Sequence, residues 1–104
     1  MKSFTAATDE TVGVERVEEQ FNYQNIPSAT TTVVKNAPGM LHCITVNATA
    51  AGPITIYDNT AASGQKIATL KASIVENTYY FDTKFLTGLT IVTGAASDIT
   101  VSFR

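Results

Sequence analysis

The residues whose side chains could do chemistry are few and scattered. His42 is the only histidine and Cys43 the only cysteine, and they are adjacent. A Cys–His nucleophile pair needs the two side chains to meet. Neighbouring residues of an extended strand point to opposite faces, so Leu41-His42-Cys43 predicts that they do not. One His and one Cys are also too few to hold a transition metal without symmetry-related copies. A partly buried strand histidine is the plainer expectation. Asp58 and Asp82 each close an extended run, where aspartate commonly accepts from the turn backbone. Asp58-Asn59-Thr60 has the opening of a calcium loop but lacks the glycine and terminal glutamate of an EF-hand. A carboxylate pair for glycoside hydrolysis would have to be assembled by folding. Gly52, Gly64, Gly88 and Gly94 are isolated, so no phosphate-cradling loop is formed. No serine sits in a nucleophile elbow. Tyr23, Tyr57, Tyr79 and Tyr80 offer either a sugar-stacking platform or cross-strand packing pairs, and the second is the commoner use of strand aromatics. The expectation is a protein with no catalytic residues, no metal and no cofactor.

The elements that must position these groups are strands. The chain has 104 residues and 44% hydrophobic content, enough for one domain with a core. Runs rich in Thr, Val and Ile recur at 30–35, 40–47, 53–58, 65–71, 77–82, 89–93 and 99–104. Asn36-Ala37-Pro38-Gly39 separates the first two, and small-residue loops follow Ala48 and Asn59. The last run is the cleanest: Ile99, Val101 and Phe103 alternate with Thr100, Ser102 and Arg104. Short strands at this spacing predict an all-β fold, a single antiparallel β-sandwich of jelly-roll-like form. The expected core is Val33, Ile44, Val46, Ile54, Ile56, Ile67, Leu70, Phe81, Leu89, Ile91, Ile99, Val101 and Phe103. Two runs are apolar on both faces: Leu41 and Cys43 oppose Ile44 and Val46, and Val92 opposes Ile91. A bulge, a covered edge or a subunit interface would each account for the surplus.

Residues 1–28 read differently, as an N-terminal acidic arm ahead of a β-sandwich domain at 29–104. The arm carries Asp9, Glu10, Glu15, Glu18 and Glu19 against Lys2 and Arg16. The rest is near balance, with Lys35, Lys66, Lys71, Lys84 and Arg104 against Asp58, Glu76, Asp82 and Asp98. Val14, Val17 and Phe21 fall at helical spacing, although Val12 and Val14 would equally begin a strand. The formal net charge of -2 disfavours a dedicated nucleic-acid binder. Met1-Lys2 is followed by Ser, Thr, Ala and acids, so no secretory leader is expected, and no apolar run is long enough to span a bilayer.

Over 31–104 the sequence resembles a group of small tailed-phage virion proteins with a β-sandwich fold. The resemblance is carried by Val33-Val34-Lys35, Ala37-Pro38-Gly39-Met40-Leu41 and Ile44-Thr45-Val46-Asn47. It continues through Gly52-Pro53-Ile54-Thr55-Ile56-Tyr57-Asp58-Asn59-Thr60 and Ala62-Ser63-Gly64. It ends with Phe85, Gly88-Leu89-Thr90-Ile91-Val92-Thr93 and Asp98-Ile99-Thr100-Val101-Ser102-Phe103-Arg104. It implies a virion accessory part and no catalytic residue. The leading expectation is a homo-oligomeric capsid decoration (cement) protein, a trimer or dimer, bound to the major capsid protein or other virion proteins and assembled into virions in the host cytoplasm. A neck, tail or baseplate subunit and a carbohydrate- or receptor-binding fibre module are the alternatives. The expected partner-binding residues are Val14, Val17, Phe21 and Tyr23 in the arm. The loop tips add Asn36, Pro38 and Gly39, with a second tip at 61–64.

Overall fold

A computed structural model describes residues 20–104, and each alternating run read from the sequence is a strand in it. The strands are β1 (Asn22–Ile26), β2 (Thr31–Lys35), β3 (Gly39–Ala48), β4 (Ile54–Asp58), β5 (Gln65–Leu70), β6 (Thr78–Phe85), β7 (Leu89–Thr93) and β8 (Asp98–Phe103). They form two antiparallel sheets of four, in the orders β1-β8-β3-β6 and β2-β7-β4-β5. One rule generates most of this. First pairs with last, second with seventh, third with sixth and fourth with fifth. Two further ladders, β3 with β8 and β4 with β7, roll the ribbon into a sandwich. This is the jelly-roll order. The fold expected from the sequence is therefore the fold observed.

The core lies between the sheets. Ile44, Val46, Ile99 and Val101 of the first sheet face Ile54, Ile56, Leu89 and Ile91 of the second, all buried. Ile26, Leu41, Leu70 and Phe85 complete it. Of the residues expected inside, Ile67, Phe81 and Phe103 pack at its margin. Val33 does not belong to it: it is 46% exposed, and Val34 packs on the core instead. Val33 pairs with Thr90, between the core residues Leu89 and Ile91, so strand alternation puts it on the outer face and turns Val34 inward; the register shift of β2 falls only after Val33.

Two boundaries differ from the sequence reading. Asn22–Ile26, read as the end of the arm, is a strand of the first sheet, paired residue for residue with β8. Asp82 does not end a strand, because β6 continues through it to the buried Phe85.

Asp58 does serve a turn. Its carboxylate accepts from the backbone N–H groups of Leu86 at 3.0 Å and Thr87 at 2.9 Å, fixing the β6–β7 connection. Those donors hold its carboxyl below the usual range, against a smaller opposing effect of burial. A depressed folded pKa contributes stability that is present above the unfolded pKa and lost as pH falls through the folded one. Asp58→Asn should therefore lower Tm at pH 7, with the gap to wild type closing in acid, as thermal melts between pH 7 and 2 would show. Phe85→Ala should cost about 3–5 kcal/mol in denaturant unfolding.

Candidate functional surface

The outer face of the first sheet is built around a bulge. Leu41 pairs with Phe103 and Cys43 with Ser102, so His42 is an extra residue on β3. Across the other ladder Leu41 pairs with Thr83 and Cys43 with Tyr80, which places two residues of β6, Phe81 and Asp82, against His42. Asp82 adopts a left-handed backbone, φ 47°. The two displaced residues bond to each other, His42 Nδ1 to Asp82 Oδ1 at 2.5 Å. A bulge puts neighbouring residues of one strand on the same side. The expectation that His42 and Cys43 point apart rested on a straight strand, and the bulge removes it. Their neighbours are nevertheless different: His42 meets Asp82, whereas Cys43 stands opposite Ser102 in the β8 ladder.

An aromatic cluster covers this bulge. Phe21 stacks on His42 at 4.3 Å between ring centroids, nearly parallel. Tyr80 meets His42 edge-on at 5.5 Å, and the Arg104 guanidinium lies over Phe21 at 5.3 Å. Tyr23, Ser102, Cys43 and Tyr80 form one register row across the sheet, all on its outer face. Tyr23 and Tyr80 are 78% and 68% exposed, whereas Cys43 between them is only 9% exposed. Burial is the main cause that raises the Cys43 thiol pKa, with the nearby Asp82 charge adding to it and the Ser102 bond opposing it. Farther along the same face, Asn25 donates to Asp98 at 2.7 Å and Asn47 to Thr100 at 3.1 Å, a polar continuation of the row.

The loops sort to two ends of the sandwich. At one end lie 36–38, 59–64 and 86–88. Gly88 abuts the Lys35 carbonyl and Thr60, and Asp58 binds Leu86 and Thr87. Gly39 sits there too, and any side chain on it would strike the Arg104 carbonyl and the Phe85 ring. Phe21 reaches this end through Arg104. The structure thus brings Phe21, Asn36, Pro38, Gly39 and the 61–64 tip to one end. Asn36 and Pro38 are exposed, while Gly39 has a packing role. Tyr23 lies beside this end on the outer face. Val14 and Val17 fall outside the described residues. Loops 27–30, 49–53, 71–77 and 94–97 occupy the opposite end, joined by bonds such as Thr30 N–H to Thr93 Oγ1 at 2.9 Å and Ser73 N–H to the Ala50 carbonyl at 2.8 Å.

Charge follows the same division. Lys35, Lys66, Lys84 and Arg104 are carried by strand ends that point to the first loop cluster, and Lys71 by the other. Among the described residues the carboxylates at the first end are engaged, Asp58 by backbone N–H groups and Asp82 by His42. The sequence did not signal this segregation, because it arises only when four distant strand ends are gathered by the roll. Among the described residues no group of three or more His, Cys, Asp or Glu side chains converges on one point. The chain matches no family model, no curated protein and no solved structure.

Tyr80 stands directly opposite Cys43 in the ladder and shields it. The Cys43 thiol should react slowly with a disulfide reagent at pH 8, and Tyr80→Ala should speed that reaction without lowering Tm appreciably, as absorbance kinetics beside a melt would show.

Proposed function

We propose that this chain is a structural protein of a tailed-phage virion, a decoration protein that docks on the outside of the capsid and adds to the stability of the shell. One observation supports this reading above the others. The loop tips marked as contact points by the sequence gather, with Phe21, at one end of a jelly-roll sandwich that is basic among the described residues, and β1 begins at that same end. A compact sandwich with contacts at one end suits a staple across a junction between shell subunits. The Lys35, Lys66, Lys84 and Arg104 end favours an acidic patch on the shell as its seat. Repetition over the shell would supply avidity, so that each contact can be weak. Jelly rolls also serve in many other roles, and the placement in a virion rests on the resemblance over 31–104.

The test is a count. The ratio of this protein to the major capsid protein in purified virions, by quantitative mass spectrometry, should approach that of the shell itself. A few copies per particle would move it to the neck or tail, and its absence from virions would refute the proposal. Heads lacking it should rupture at a lower temperature. Lys84→Glu should weaken attachment to such heads while leaving the melting of the isolated domain unchanged.

A further inference from the structure

Among the described residues the two four-stranded sheets have four edge strands, β1, β6, β2 and β5. Exposed edges invite pairing with other chains, and proteins blunt them with charge and bulges. Three of the four are blunted. β6 carries Asp82 in a left-handed conformation, followed by Lys84. β2 is bulged between Val33 and Lys35 and ends on that lysine. β5 carries Lys66 and pairs with β4 across a register shift at Ile56/Tyr57.

β1 is the exception. Asn22-Tyr23-Gln24-Asn25-Ile26 contains no charged residue and no proline, and its ladder with β8 runs without a shift over all five residues. Among the described residues it has β8 on one side and no strand on the other. Tyr23, the most exposed of the large apolar or aromatic side chains, stands on it.

We infer that the edge of β1 left uncovered by the described strands pairs antiparallel with β1 of a second copy of this chain, joining two first sheets into one continuous sheet about a two-fold axis. The strand suits itself. A five-residue strand paired in full with its own copy is centred on Gln24, so Gln24 faces Gln24 of the second copy. Tyr23 then faces Asn25 and Asn22 faces Ile26. Each pair keeps the parity of the sheet, with Tyr23 and Asn25 both on the outer face and Gln24 and Ile26 both on the core side. The two Gln24 amides can bond each other across the axis, and no like charges meet. A short strand pair buries less than the roughly 1,600 Å² of a standard interface. Tyr23 must supply the remainder against its partner, and the dimer is weak and concentration-dependent. This pairing is independent of the proposed place in the virion, because it concerns the purified chain alone.

Sedimentation equilibrium of the full chain over a range of concentrations should show a reversible monomer–dimer exchange. A monomer at every concentration would overturn the inference. The register has its own test. In a Cys43→Ser background, Gln24→Cys should form an intermolecular disulfide under mild oxidation, since facing Cα atoms in an antiparallel pair lie about 4.5–5.5 Å apart. Asn22→Cys, displaced from its copy by the pairing, should not. Equal crosslinking at both positions would overturn the register. Tyr23→Lys with Asn25→Lys sets like charges opposite each other and should weaken the dimer roughly tenfold. Tyr23→Lys with Asn25→Glu sets opposite charges there and should restore it. Equal weakening by both pairs, with unchanged melting, would mean that positions 23 and 25 do not face each other and would overturn the register.

Discussion

Leu41 and Ile44 are three residues apart in one strand and both belong to the core, whereas a straight strand would send them to opposite faces. The extra residue between them, His42, makes their shared burial possible. β3 is paired on both sides and is the longest strand, so its irregularity passes to both neighbours. On one side Leu41 pairs with Phe103 and Cys43 with Ser102, so β8 passes His42 by. On the other, β6 takes up two residues of its own and turns Asp82 out to meet His42. The core, the outer face and the burial of Cys43 therefore depend on one backbone displacement, tied by one imidazole–carboxylate contact. Apolar surplus in Met40–Val46, which left a bulge and an interface both open, is explained by the bulge for Leu41 and by the aromatic cover for Cys43.

The roll also explains the surface. Pairing first with last and second with seventh brings chain segments distant in sequence to a common end. Cations dispersed evenly along 29–104 become a patch, while the carboxylates beside them are consumed by local bonds. Phe21 gives this end an apolar seat beneath Arg104. An end that combines charge, aromatic surface and the start of β1 is suited to docking, and the proposal of a shell-binding protein draws on that combination.

The sheet pattern was legible wherever alternation was strong: β8, β4 and β7 read directly from Ile, Val and Thr. β1 was hidden because Asn22-Tyr23-Gln24-Asn25 has little apolar character and its burial comes from Ile26 alone. Phe85 was missed because Asp82 reads as a stop, and only the turn bonds made by Asp58, not Asp82, show where the connection lies. The exchange of Val33 for Val34 follows from the register with β7, which sets Thr32 opposite Ile91 and which two adjacent valines cannot reveal. For the candidate surface the sequence offered Phe21, Tyr23 and the 36–39 tip only one by one. Its unity was not legible, since adjacency across the roll is a property of topology.

The pairing order also sets the order in which the chain can close. β4 and β5 are joined by the six residues 59–64, whereas β1 and β8 are separated by most of the domain. Loop closure costs entropy that grows with the length closed, and nested long-range pairs make folding slow. The ribbon is expected to zip outward from the β4–β5 hairpin, with β1 arriving last. The strand that closes the roll is then the least firmly committed to its own chain, and during assembly at high local concentration it is the segment most able to be traded between neighbouring molecules.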